Sequence, residues 1–473
     1  MVEATTLARP AAATFPLSRA LVRMLLDRHR RGLPPEVMHR ARLHTMDSIC
    51  IALAARPALP IGRQVIAALA FGAGGGDSPV IGSDERLPPA LAGFANSALA
   101  HALDYDDIHD IARLHPTTVT LPAALAVAGP VGAGIERVLA GMALGNELMC
   151  RLGTACAPTG DGPGSDWFLT QLFGYLGGCL SACIVLDLPE DDIVSAFGLA
   201  YMQLAGGKQT AFGTGSTARS IYPAFAAMGG VQAALLARAG VTGPEGALDG
   251  PAGMFNLYLG GTAPDLGLLL AEDGWSWLAT EVKPWPSCRL SHPYVAAALA
   301  LRERLGGPPT GRVTVAVNPS AAKLCRPLEQ RRRPETLQDA KYSIPFMTAF
   351  TLAHGKVDLA SLGAEAMHDP AAREMAARID IVETLPDRPG HPPAELTVQT
   401  PEGPLTLRRD AAPVLDDEGL RAKGIDCLRQ AGIGAEAGAI WDQLLALLRE
   451  GPAADFLAAI PRVAASAGAD RHR

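Results

Sequence analysis

Apolar positions recur at helical spacing along most of the chain, and the stretches where that spacing is cleanest mark its elements. Residues 17–30 and 35–55 read as amphipathic helices. Further helical segments fall at 61–71, 88–103, 118–129, 134–153, 167–186, 189–204, 221–239 and 245–258. Caps and stops support several of them: Pro189-Glu190-Asp191 ahead of Ile193 puts acids in a first turn, and Gly240 stops the helix before it. Strand signals are nearly absent up to this point. After the Trp275–Pro286 region the pattern changes. Val313, Val315 and Val317 alternate, as do Ile379 and Ile381. Leu396 and Val398, then the turn sequence PEGP at 401–404, then Leu405 and Leu407 predict a hairpin. Helices at 293–305, 336–353 and 369–377 lie between these strands. From Asp416 the spacing is helical again, with Trp441, Leu444, Leu445, Leu447 and Leu448 on one stripe. The expected fold is therefore mainly α. An all-helical domain forms from both ends of the chain, 1–279 and 412–473, and an α+β lid is inserted at 280–411.

Composition narrows this picture. The 473 residues are too many for one ordinary core, and 48% hydrophobic with 19% charged is a globular balance. Small residues are abundant and aromatics make up only 5%, which suits closely packed helices. A net charge of -7 argues against a nucleic-acid surface. The short basic run Arg331, Arg332, Arg333 before Pro334 reads as a solvated loop rather than an anion patch. The N-terminal residues lack the basic-then-apolar order of a secretory signal. Apolar segments long enough for a bilayer are cut by Pro122, Pro130 or Asp187, so no membrane partner is expected. Eight cysteines lie scattered without a CxxC pair, which predicts reduced thiols in a cytoplasmic protein and no zinc site.

Candidate chemistry concentrates in two stretches. The first, Ser97 to Gly129, sets His101, Asp104, Asp106, Asp107, His109, Asp110 and His115 between two Ala/Leu-rich helices. Packing alone does not ask for that many ionisable groups, because unpaired buried charge is costly. Asp106 to Asp110 spells DDxxD, but a magnesium-diphosphate site needs a second acidic motif, and Glu190, Asp191 and Asp192 look like a helix start. Phosphate-loop, dinucleotide and GxSxG signatures are missing, and the Gly-rich run 205–216 reads as a loop whose backbone approaches something closely. The second stretch, EVKPWPSCRLSHP at 281–293, packs Lys283, Cys288, Arg289, Ser291 and His292 between prolines, a composition suited to capturing carboxylates. Arg219 in TARSIYPAF and Lys341 in DAKYSIPF are further candidate anchors.

Taken in order, HALDYDDIH…HP, GNELMCRLG, DWFLTQLFGYLGG, RSIYPAFAAMGG with AGVTGPEGALDG, KPWPSCRLSHP and RPET…DAKYSIPFMTAF make the chain resemble the MmgE/PrpD family over roughly residues 15–450. That family includes 2-methylcitrate dehydratase, cis-aconitate decarboxylase and iminodisuccinate epimerase. The resemblance implies a homodimer that moves protons on di- or tricarboxylates with neither metal nor organic cofactor. It places Asp104 and His115 at acidic and histidine positions of the active site and Lys283 at a lid-hinge lysine. It puts Arg219 where many members carry a carboxylate-binding lysine. The chain departs from the pattern at Phe168 after Trp167, at Thr154, at Cys288 and at Tyr222, positions where members carry histidines.

The expected mechanism follows from charge. Abstracting a proton beside a carboxylate builds up negative charge, so Arg219, Lys283 and Arg289 are expected to hold the substrate. His115 acts as general base, oriented by Asp104. His292, Cys288 and Tyr222 are the candidates for a second acid, with His101 and Lys341 completing the substrate pocket. A hydro-lyase resembling 2-methylcitrate dehydratase is the first expectation. An epimerase or isomerase of a small dicarboxylate, and a binding relative without catalysis, remain alternatives.

Overall fold

The computed structural model describes residues 17–157, 164–212, 216–387, 390 and 393–465. Most of the Gly-rich loop is among them, while its 213–215 segment lies outside. The structure is mainly helical. Helices α1 (Leu17–Arg30), α2 (Pro35–Ala58), α3 (Pro60–Ala70), α4 (Pro89–His101), α5 (Thr117–Ala128), α6 (Ile135–Cys156), α7 (Leu169–Val185) and α8 (Glu190–Tyr201) follow one another, and then Tyr222–Arg238. Proline occupies the first turn of α2, α3, α4 and Tyr222–Arg238, where its missing N–H costs nothing.

Helix α7 is buried all round, as a centrally placed helix must be. It packs on α5, α6 and Tyr222–Arg238. Glycines let these backbones touch. A Cβ on Gly145 of α6 would stand 2.6 Å from the Gly177 carbonyl oxygen and against Ser181 Oγ. On the other side of α7, a Cβ on Gly230 would lie 2.5 Å from the Cys179 nitrogen. The small-residue composition is therefore spent at these crossings.

Two-residue strands β1 (Ser78–Pro79) and β2 (Arg86–Leu87) form one ribbon, and β3 (Ile108–His109) and β4 (Thr280–Glu281) form a second. Farther on, β5 (Val313–Val317), β6 (Ile379–Glu383), β7 (Ala394–Thr400) and β8 (Gly403–Arg409) make a sheet in the order β6-β5-β7-β8. Only β5 and β6 are parallel. The predicted hairpin is β7–β8, closing at Thr400 opposite Gly403. Helix His292–Leu305 packs on β7 and β8, and Ile344–His354 packs on Pro370–Ala377. Val313, Leu396 and Tyr294 belong to a core of their own. Leu420, Trp441, Leu444 and Phe456 from the C-terminal helices join the larger core built by α1–α8, and Asp417–Gln430 packs on α2.

Two sequence-based elements are corrected. Only Met254–Tyr258 of the expected 245–258 helix is helical, because Gly246, Gly250 and Gly253 fold the rest into turns. The expected 336–353 helix is two, Leu337–Lys341 and Ile344–His354. Ser343 caps the second by accepting from the Phe346 amide at 3.0 Å, and Pro345 starts it. That break sets Lys341 and Tyr342 at a corner. Among the described residues no single helix is long and apolar enough to cross a bilayer. All eight cysteines are unpaired thiols.

Two glycine substitutions separate close packing from helix propensity. Gly145→Val should lower stability by about 1–3 kcal/mol through overpacking. Gly438→Ala, whose new Cβ meets its nearest atoms only at 4.0 Å, should raise it by about 0.4–1 kcal/mol. Denaturant midpoints of the two variants check this. Equal effects would contradict the backbone-contact account of the crossing.

Candidate active site

The 15-residue separation of the helix ends around Ala102–Pro116 gives a connector that is buried from Ala102 to His109, with Ile111 and Arg113 exposed beyond it. A buried connector must satisfy its own backbone, and here buried lysines do so. The carbonyls of three successive residues each accept from an ammonium: Leu103 from Lys341 at 2.8 Å, Asp104 from Lys283 at 2.9 Å, and Tyr105 from Lys423 at 2.8 Å. Lys283 also meets the Asp104 carboxylate at 2.6 Å. Lys423 pairs with Asp47 of α2 at 2.8 Å and lies 3.9 Å over the Tyr105 ring. The β3–β4 ribbon, Ile108 opposite Glu281, ties the connector to the strand that delivers Lys283. Asp104 itself sits at φ 51, a left-handed conformation that a non-glycine residue keeps only when its surroundings enforce it.

The next two residues orient imidazoles. His101 Nδ1 lies 2.8 Å from Asp106 Oδ2, and His44 Nδ1 lies 2.7 Å from Asp107 Oδ2. Thr117 Oγ1 also donates to Asp107, at 2.5 Å. The Asp107 main-chain carbonyl is 2.6 Å from His115 Nδ1. A carbonyl only accepts, so Nδ1 of His115 carries the proton and Nε2 keeps a lone pair. His115 packs edge-on against His101, ring centroids 5.2 Å apart, and His101 against Tyr222 at 5.0 Å. His101 Nε2, Asp104 Oδ2 and Asp106 Oδ1 are buried without a partner.

Electrostatics follow from this packing. Burial works against the Asp104 and Asp106 carboxylates, yet Lys283 and the two imidazoles for Asp104, and the imidazoles for Asp106, outweigh it and hold both below the usual carboxylate range. Burial lowers the His115 pKa below its ordinary value, with Asp106 opposing and Lys283 assisting, so the imidazole is neutral at pH 7. Burial brings Lys341 down to about 8. Burial raises the Tyr222 phenol and the Cys288 thiol, so both stay protonated. His101, His115 and Asp106 each offer a ligand atom within 4.8 Å of the others, close enough to gather round a cation. His115 Nδ1 is already engaged, its N–H donating to the Asp107 carbonyl.

The structure thus brings together His101, Asp104, His115, Tyr222, Lys283 and Lys341. Arg219 joins them through Phe168: its guanidinium carbon lies 3.5 Å over the Tyr342 ring and 5.8 Å over Phe168, which stacks on Tyr222 at 4.3 Å. The Cys288 amide donates to the Lys341 carbonyl at 3.0 Å. Two expected residues do other work. Arg289 forks onto Asp110 at 3.1 and 3.0 Å, so the fork expected to take a substrate carboxylate already holds a protein one. His292 has Nε2 at 3.2 Å from the Ser287 carbonyl and Nδ1 at 3.5 Å from Arg289, so both ring nitrogens are engaged. Burial and Arg289 push its pKa well below the ordinary value. His44 and Lys423 escaped the sequence reading. The signal for His44 was its spacing, three residues before Asp47, which puts both polar side chains on one face of α2.

Fold and site together define a mainly helical protein with a buried imidazole–carboxylate–ammonium centre. The chain belongs to the MmgE/PrpD family: the family's N-terminal domain matches residues 19–267 and its C-terminal domain residues 285–398. Among curated proteins it is 30% identical over 230 residues to a cis-aconitate decarboxylase of Aspergillus terreus, covering 47% of this chain and 46% of that protein. It is 31% identical over 230 residues, covering 47% of each, to a cis-aconitate decarboxylase-like protein of Aspergillus oryzae. It is 26% identical over 320 residues to the cis-aconitate decarboxylase of Homo sapiens, covering 64% and 63%. The first of these matches span about half the length of the curated relatives.

Buried neutral imidazoles give stability a definite pH dependence. His109, His115 and His292 all titrate below their ordinary value. The unfolded chain therefore binds protons more readily, and stability that is complete above about pH 6.5 should be lost as pH falls below it. Denaturant midpoints between pH 8 and 5 measure the slope, and His292→Asn should flatten it. An unchanged slope would mean that His292 is not held neutral.

Proposed function

We propose that this chain is a lyase acting on a di- or tricarboxylate, with proton abstraction beside a carboxylate and β-elimination of water. The observation that carries the reading is the fixed tautomer of His115: Nδ1 is committed to the Asp107 carbonyl, and Nε2 is an unprotonated base beside carboxylates and ammoniums. Removing the proton leaves charge on the substrate carboxylate, which Lys283, Lys341 and Arg219 balance. Arg219 grips a carboxylate through its planar fork and stays charged, so it is an anchor and not a proton donor. Tyr222 keeps its phenolic proton and lies against His101, which makes it the acid for the departing hydroxyl. Residues 280–411 contribute Lys283, Lys341 and Tyr342, and their closure over the helical residues keeps water from the reacting carbon. Family membership and the decarboxylases among the relatives support a lyase on such an acid. Those same relatives favour decarboxylation as the second reading.

Proton NMR in deuterated buffer, on a panel of citrate-like and tartrate-like acids, distinguishes the outcomes. Vinyl signals with water loss support the dehydratase, and loss of carbon dioxide identifies a decarboxylase. Exchange at carbon without an alkene identifies an epimerase, and an inert panel removes catalysis altogether. His115→Gln should lower kcat on the order of 10²-fold or more. In the unaltered enzyme kcat/KM should hold as pH passes the ordinary imidazole value of about 6.5 and fall only at lower pH, because burial keeps the His115 base unprotonated below that value.

A further inference from the structure

The close backbone approach that the Gly-rich run at 205–216 implies is found at its start. The Gly206 carbonyl accepts from the Phe168 amide at 2.7 Å, and the Lys208 amide donates to the Asp166 carbonyl at 2.8 Å. These bonds hold the loop against the segment that ends in Phe168. Lys208 Nζ donates to the Ser165 carbonyl at 2.6 Å and forms no ion pair among the described residues. The loop stands on the side from which the centre is reached. His101, Asp104, Asp106, Lys283 and Lys341 are buried, whereas His115, Phe168 and Arg219 are partly exposed. A dissolved acid therefore arrives along the face that carries these three.

Cations from separate parts of the chain converge there. Exposed Arg113 lies two residues before His115, in a turn closed by its amide donating to the His109 carbonyl at 2.7 Å. Lys208 is half-buried, and exposed Lys323 follows the helix Pro319–Ala322. These groups are near enough to feel one another. Burial, then the Arg113 and Lys323 charges, opposed by Asp166 and joined by Arg219, bring the Lys208 pKa down to about 8, so it is still mostly charged at pH 7. The molecule as a whole has a net charge of -7 and repels a polyanion. A local excess of positive charge reverses that field over roughly one Debye length, about 8–10 Å at moderate ionic strength. We propose that Arg113, Lys208 and Lys323 form a positively charged mouth that gathers polycarboxylate anions from solution onto the His115 face. This rests on the polycarboxylate-lyase reading and adds how such an acid is drawn to the centre by a protein of its own sign. The field acts through solvent, so it needs neither a cavity of its own nor a fixed contact with the acid.

Calorimetric titrations with tricarballylate and with succinate, at ionic strengths of about 0.02 and about 0.5 M, test the mouth. For each acid that binds, the Kd of the unaltered protein should rise about 10-fold or more over this range. Lys208→Gln should raise that Kd about 5-fold at low salt and come within about two-fold of the unaltered protein at high salt. Lys208→Arg, which keeps the charge, should stay within about two-fold at both. Lys323→Gln, at an exposed position, should give the same screened loss, and it decides the matter if Lys208→Gln does not fold. A loss that persists at high salt, or no loss at low salt, overturns the mouth. Binding indifferent to salt overturns the mouth alone, whereas binding of neither acid at either salt overturns the polycarboxylate reading with it.

Discussion

Three ammonium groups on three consecutive main-chain carbonyls hold the centre of this molecule in shape. Lys341, Lys283 and Lys423 approach Leu103, Asp104 and Tyr105 from three separate parts of the chain. Burying an ammonium is expensive unless carbonyl and carboxylate oxygens replace its water. Lys283 has Asp104 and Lys423 has Asp47, while Lys341 has its carbonyl and the nearby Asp104 charge. With its carbonyls spoken for, the connector has one conformation, and the left-handed backbone at Asp104 is part of it.

That single conformation sets the imidazoles. Successive side chains of Asp106 and Asp107 point to His101 and His44, and the Asp107 carbonyl serves His115. One dipeptide thereby fixes three ring orientations. Lys283 and Lys341 sit on the connector, whereas Arg219 is separated from His101 by Tyr222 and Phe168.

Much of this was legible in the order of residues, and the failures have physical causes. Helix α1 matched its expected span because its apolar positions keep helical spacing from end to end, and β7–β8 because alternation meets a turn sequence. His101, Asp104 and His115 stood out because ionisable groups between apolar helices demand partners, and Lys283 because it falls in the charged, Pro-rich stretch at 281–293. Arg289 misled because its partner, Asp110, lies 179 positions away, and linear spacing carries no record of such a pairing. Lys423 was invisible for the same reason, sitting in a helix whose other charged residues are mostly exposed. Arg331 was misread because its neighbours in sequence are basic, while its position is set by the Tyr342 carbonyl across a corner.

The contact between Lys423 and Tyr105 joins residues 318 positions apart. On a ribosome, the helix bearing this lysine emerges long after the segment it supports, and after both other lysines that support it. Until then the Tyr105 carbonyl must wait for its ammonium. A chain interrupted before that helix would leave the Tyr105 carbonyl and the Asp47 carboxylate without their ammonium.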